Sequence, residues 1–61
     1  MNEYDVKRLA LVLAIQAEIE GMKAENEYRI QRGEAIAWNL NAFYEMAEKL
    51  RQLAYAHNEQ L

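Results

Sequence analysis

The sequence predicts an all-α fold, a two-helix antiparallel hairpin that is expected to dimerise into a four-helix bundle. Three observations predict this fold. The composition is helical, with no proline, two glycines and 52% hydrophobic residues. Apolar residues recur at three- and four-residue spacing in two segments separated by one short connection. The stretch from Leu9 to Met22 begins apolar on every side of a helix, so a single neighbouring helix cannot cover it.

The length of the chain makes oligomerisation the expected source of stability. A domain of 61 residues buries only about 60% of the surface of its unfolded chain. Small scaffolds compensate with disulfides, metals or subunit contacts. The chain has no cysteine and only one histidine, His57, so disulfides and a histidine-thiolate metal site are excluded. Self-association remains, and the expected partner is a second copy of the chain.

The first helix is predicted over about residues 3–32. Asn2 is a good N-cap, Asp5 falls at the third helical position, and Gly33 follows the basic last turn as a left-handed C-terminal cap. One face of this helix forms an inner stripe, while three leucines lie on its flanks and back and are expected to be covered by a second subunit. The inner stripe continues to Ile30. The stripe residues assigned to the core or oligomer interface are Val12, Ile15, Ile19, Met22 and Asn26, and the three leucines are Leu9, Leu11 and Leu13.

Two polar or small positions in helix 1 each have two interpretations. Gly21 lies in mid-helix at a cost of about 1 kcal/mol relative to alanine. We keep the helix continuous there and favour a tolerated glycine over a close helix contact. Asn26 lies among apolar neighbours. It either fixes register and oligomeric state, as a buried asparagine does in helical seams, or marks the point where the stripe reaches the surface.

The second helix is predicted over about residues 40–57, after a connection at 33–39. Asn39 is the favoured N-cap because Trp38 and Phe43 would then form a hydrophobic staple; Asn41 is the competing cap. Heptad spacing places four apolar residues in the core or oligomer interface and carries on to His57, which is interpreted as a partly buried histidine at the end of the core. The four residues are Phe43, Met46, Leu50 and Leu53.

Catalysis and cofactor binding are not expected. The chain has no serine, threonine or cysteine, which removes the usual hydroxyl and thiol nucleophiles. The Glu-x-x-His motif of carboxylate-bridged metal sites is missing, since Ala54 stands three residues before His57. The two glycines stand apart, so there is no glycine-rich phosphate loop. The sequence therefore predicts no enzyme, no metal and no cofactor.

The expected function is that of a small non-catalytic structural or protein-interaction module. Tyr44, Arg51 and Tyr55 share an outward stripe of helix 2, and with Trp38 they form a possible partner surface; plain surface is the alternative. The runner-up function is a dimeric nucleic-acid-binding regulator that uses Arg and Lys side chains. A net charge of −3 and interspersed glutamates disfavour it. No apolar run approaches a membrane span and no signal-peptide pattern is present, so a cytoplasmic location is expected.

Overall fold

The chain forms two α-helices, described here from a computed structural model that covers residues 2–57. Helix α1 comprises Glu3–Gln31 and helix α2 comprises Leu40–Tyr55. No strand occurs within this range. The prediction of an all-α, two-helix fold is thereby confirmed.

Helix α1 begins and ends at side chains and turns that were visible in the sequence. The Asn2 side chain accepts a hydrogen bond from the Asp5 backbone N–H at 2.9 Å, which satisfies one of the unpaired donors of the first turn. At the other end Gly33 adopts a φ of 75°. The N–H of Gly33 donates to the Ile30 carbonyl and that of Glu34 to the Arg29 carbonyl. This pair of bonds is a Schellman motif, which reverses the chain after Gln31.

Helix α2 begins after Asn39, whose side chain accepts from the Ala42 N–H at 3.1 Å. Asn39 is thus the N-cap, and Asn41 lies inside the helix. The helix ends at Tyr55, two residues before the predicted end, because Ala56 already has extended backbone angles. His57 consequently lies outside the helix and is exposed, so its interpretation as a partly buried histidine at the end of the core is wrong.

The two helices run antiparallel, and polar side chains of α1 form hydrogen bonds to the backbone at both ends of α2. At the open end of the hairpin the Arg8 guanidinium donates to the carbonyls of Leu53 at 3.0 Å and Ala56 at 2.8 Å. These carbonyls lie at the C-terminus of α2, where a cation also complements the helix dipole. At the connection, Asn26 binds the backbone just before α2. The pairing of the helices is therefore fixed by directional bonds as well as by apolar contact.

The hairpin is a single layer, and this limits what it can bury. The backbone measures 47 × 18 × 11 Å along its principal axes, so the molecule is long and thin. Its radius of gyration is 14.6 Å, whereas a compact domain of this length has about 10.5 Å. Met22 and Met46, one from each helix, are the only described residues that are buried. A two-methionine core leaves most apolar side chains in contact with water.

Candidate interaction surface

The inner faces of the two helices contact each other within one chain. Most of the residues that the sequence assigned to a core or oligomer interface lie here, around the buried pair Met22 and Met46. They are half-buried, so the hairpin covers only part of each side chain. The placement of Ile30 in this stripe is wrong, since Ile30 is 62% exposed near the end of α1. These half-buried residues are Val12, Ile15, Ile19, Asn26, Phe43, Leu50 and Leu53.

The three flanking leucines of α1 are exposed in the hairpin. Leu9 is 47%, Leu11 37% and Leu13 55% exposed. Leu11 borders a groove on the side of α1 that meets the end of α2, together with Leu53 and Ala56. The second helix thus covers one side of the apolar band at residues 9–15, as its all-round hydrophobicity predicted, and leaves the other sides open.

A second apolar stripe lies on the side of α1 that faces away from α2. We name it the outer face. Its members recur at three- and four-residue spacing, and every one is exposed. They are Val6, Ala10, Leu13, Ala17, Gly21, Ala24 and Tyr28. The sequence pointed to Leu13, and to Gly21 as a tolerated glycine or a close helix contact. The stripe as a whole is visible only when alanine and glycine are counted as apolar.

Asn26 binds the connection between the helices. Its Oδ1 accepts hydrogen bonds from the backbone N–H groups of Ala37 at 3.0 Å and Trp38 at 2.9 Å. Its Nδ2 donates to the Trp38 carbonyl at 2.7 Å. The amide therefore holds the turn in place within one chain, a use that neither sequence interpretation of Asn26 included.

A shallow groove beside the connection is open to solvent and has mixed polarity. Trp38, which is 42% exposed, lines it together with Met22 and Met46. Charges of both signs surround these apolar side chains: Glu18, Glu25, Arg29, Glu45 and Lys49. Among the described residues no buried side-chain nitrogen or oxygen is left without a hydrogen-bond partner.

The possible partner surface on α2 is fully open. Tyr44 is 59% and Tyr55 84% exposed. Arg51 lies between them along the helix and binds the Glu48 carboxylate at 2.9 Å. The two tyrosines and the arginine are accessible to a partner, while Trp38 lies apart from them beside the connection.

Most of the basic side chains are paired with carboxylates of the same chain. Ion pairs join Arg8 to Asp5, Lys23 to Glu20, Arg29 to Glu25, Arg32 to Glu34 and Arg51 to Glu48, at 2.9 to 3.5 Å. These pairs are solvent-exposed and each contributes at most about 1 kcal/mol. Their effect on recognition is larger than their effect on stability, because a positive charge beside a negative one presents a weak field to an approaching phosphate.

Two kinds of site are missing from the described part of the chain. Between residues 2 and 57 no three acidic or histidine side chains come together in a way that could hold a metal ion. Over the same range neither helix combines the length and the apolar character that a membrane crossing requires. What the hairpin offers is therefore a set of helical surfaces.

Comparison with known proteins adds no assignment to these surfaces. The chain matches no protein-family model, no curated protein and no solved structure. Any functional conclusion rests on the geometry of the hairpin.

Proposed function

We propose that this chain is a non-catalytic protein-interaction module that self-associates through its apolar helix faces, forming a homodimer of four helices. The proposal is carried by the exposure of large apolar side chains along both sides of α1. Val6, Leu9, Leu13 and Ile30 are each about half exposed or more. Association that removes such surface from water contributes about 25 cal/mol per Å².

The size of the exposed surface supports association with a partner of the chain's own size. The chain exposes 4867 Å², whereas a compact monomer of 7.2 kDa exposes about 4,100 Å². The excess is about 750 Å², close to the roughly 800 Å² that each partner buries in a standard-size interface. In a dimer, each hairpin would expose about as much surface as a compact monomer of the same mass.

The charge pattern favours a protein partner over a nucleic acid. The cations of Arg29, Arg32 and Arg51 are neutralised by neighbouring glutamates, and the chain as a whole carries −3. Nucleic-acid binding depends on unbalanced positive charge and weakens steeply as salt is added. No observation on the hairpin favours that second function.

Sedimentation equilibrium of the purified chain over a wide concentration range tests the proposal, with far-UV circular dichroism on the same samples. We expect an assembly of twice the 7.2 kDa chain mass at high concentration, with helicity that falls on dilution, since short isolated helices are marginal in water. A helical monomer at every concentration would refute self-association. A titration with mixed-sequence duplex DNA at low and physiological salt serves as the second arm, where we expect no binding.

A further inference from the structure

Helix α1 has two apolar faces on opposite sides of its axis, and α2 covers only one of them. The inner face contacts α2 through residues such as Ile15 and Met22. The outer face runs from Val6 to Tyr28 with no polar residue in its stripe, over about six helical turns. A helix that met only α2 and water would place charged residues there. The outer face is thus an apolar helix face that no other part of the described chain covers.

Gly21 lies at the edge of this face and also borders the groove beside the connection, which α2 lines on its other side. A Cβ atom added at Gly21 would meet nothing within 4 Å, so no contact inside the hairpin requires a glycine there. Its backbone is helical and gains nothing from the freedom of glycine. The position is therefore open to a side chain that arrives from outside the chain.

We propose that the outer face of α1 pairs with the outer face of a second copy, antiparallel and around a two-fold axis at Ala17. This inference rests on the proposed self-association and specifies the surface and the direction. The reversed stripe is complementary to itself, because Leu13 then meets a glycine and alanines meet at the centre, while large residues meet each other only at the two ends. In this register Val6 faces the partner's Tyr28, Ala10 faces the partner's Ala24, Leu13 faces the partner's Gly21, and Ala17 meets the partner's Ala17.

Charged residues lie on both flanks of the outer face. Lys7 and Glu25 lie about five whole turns apart, so they occupy the same flank of the stripe. In an antiparallel pair each flank meets its own copy, which brings Lys7 towards the partner's Glu25, a carboxylate that already pairs with Arg29 of its own chain. On the opposite flank Glu20 approaches the partner's Glu20 near the axis. The apolar stripe, and not the charges, therefore carries the pairing.

The contact also has a suitable size and shape. The stripe repeats after 11 residues, from Val6 to Ala17 to Tyr28, a period close to that of a straight helix, so two copies can stay in contact along their length. Small residues at the centre allow the shorter interaxial distance of about 8 Å. The excess surface of the chain, about 750 Å², is comparable with the roughly 800 Å² that each partner buries in a standard-size interface. Helix α2 lies on the far side of α1 and does not obstruct it.

Disulfide trapping tests the surface and the direction together, because the chain has no cysteine of its own. The variant Ala17→Cys places two thiols at the two-fold axis, within the short Cβ separation that a disulfide requires. Under diamide oxidation we expect Ala17→Cys to form a cross-linked dimer at least ten times faster than Gln52→Cys, an exposed position on α2 that serves as the control.

A mixture of two further variants reports the direction. If the helices are antiparallel, Ala10→Cys and Ala24→Cys cross-link with each other in preference to themselves, as mass spectrometry of size-tagged chains would show. Preferential self-linking of Ala10→Cys would indicate parallel helices and would overturn the proposed register. Equal rates for Ala17→Cys and Gln52→Cys would overturn the surface.

Charge insertion separates failure of this inference from failure of self-association. Glutamate at position 17 would bring two negative charges together at the axis, so Ala17→Glu should weaken the dimer about a hundredfold or more in sedimentation. The control Leu40→Glu changes a residue that is 64% exposed on α2 and should leave dimerisation unchanged. A wild-type dimer that tolerates Ala17→Glu and is disrupted by Leu40→Glu would associate through another face, and this inference alone would fail. A monomeric wild-type chain would refute both proposals.

Discussion

Helices α1 and α2 differ in how many of their sides are apolar. Helix α2 is one-sided: Met46 is buried against α1, while the opposite side carries Tyr44, Arg51 and Tyr55 in water. Helix α1 is two-sided, with Met22 buried on one face and Leu13 exposed on the other. Because apolar residues lie on opposite sides of α1, the sequence of α1 is less clearly amphipathic than that of α2.

This difference divides the stability of the protein into two parts. Contacts of the inner faces act within one chain and are independent of concentration. Contacts of the outer face, if a second copy occupies it, add stability that grows with concentration by mass action. The following predictions test that division.

The largest difference is expected between Met46→Ala and Leu13→Ala. Met46 is 6% exposed, so its truncation should lower the free energy of unfolding by about 2–4 kcal/mol at every concentration. Leu13 is 55% exposed, and its truncation should cost at most about 0.5 kcal/mol in dilute solution and more where the chain is associated. Urea titrations followed by far-UV circular dichroism at low and high chain concentration measure both effects. An equally large loss for Leu13→Ala in dilute solution would show that the outer face is already covered within one chain.

Asn26→Ala is expected to lower the free energy of unfolding by about 1–3 kcal/mol. The substitution removes three hydrogen bonds to the backbone of Ala37 and Trp38. Trp38 is the single tryptophan, so its fluorescence reports the connection directly. We expect a red shift that accompanies the loss of stability.

Asn26→Asp tests the bond that Nδ2 donates. A carboxylate keeps the two bonds that Oδ1 accepts, but its second oxygen replaces Nδ2 at 2.7 Å from the Trp38 carbonyl oxygen, where two acceptors repel each other. The free energy of unfolding should therefore fall below that of the wild type in urea titration. An Asn26→Asp variant as stable as the wild type would show that the donated bond adds nothing to stability.

Asn39→Ala should cost about 1 kcal/mol, and Asn41→Ala should cost much less. Asn39 accepts from the Ala42 N–H as the N-cap of α2, whereas Asn41 lies within the first turn. The 16 residues of α2 make it sensitive to its cap. Thermal unfolding of the two variants side by side provides the comparison, and equal midpoints would contradict the assigned cap.

Gly21→Ala is expected to have a small effect that changes sign with concentration. Alanine should stabilise the isolated hairpin by up to about 1 kcal/mol, since a Cβ atom meets nothing within 4 Å. The same methyl group would crowd the partner's Leu13, so self-association should weaken. Stabilisation that persists in the associated state would argue against a close contact at Gly21.

The sequence predicted the local features of this fold well. Asn2, Asn39 and Gly33 act on residues a few positions away, so their roles follow from residue type and spacing. The all-α fold and the inner stripe likewise follow from composition and period.

The features that the sequence did not predict are long-range or lack a strong hydrophobic signal. Arg8 binds carbonyls 45 and 48 residues away, and nothing in its neighbourhood in the sequence marks that pairing. Asn26 was recognised as unusual, but its partners lie in an irregular segment without periodicity. Only Leu13 and Gly21 of the outer face were singled out from the sequence, and not as one stripe, because alanine and glycine contribute little to a hydrophobic pattern.

The hydrogen bonds of Asn26 and Arg8, at opposite ends of the hairpin, also imply an order of folding. Asn26 closes a loop of only 11 or 12 residues when it binds Ala37 and Trp38, whereas Arg8 closes one of 45 to 48 residues. Closing the shorter loop loses less chain entropy. We therefore expect the two helices to pair first beside the connection and last at the open end of the hairpin. Amide hydrogens at the open end should exchange first in a hydrogen-exchange measurement.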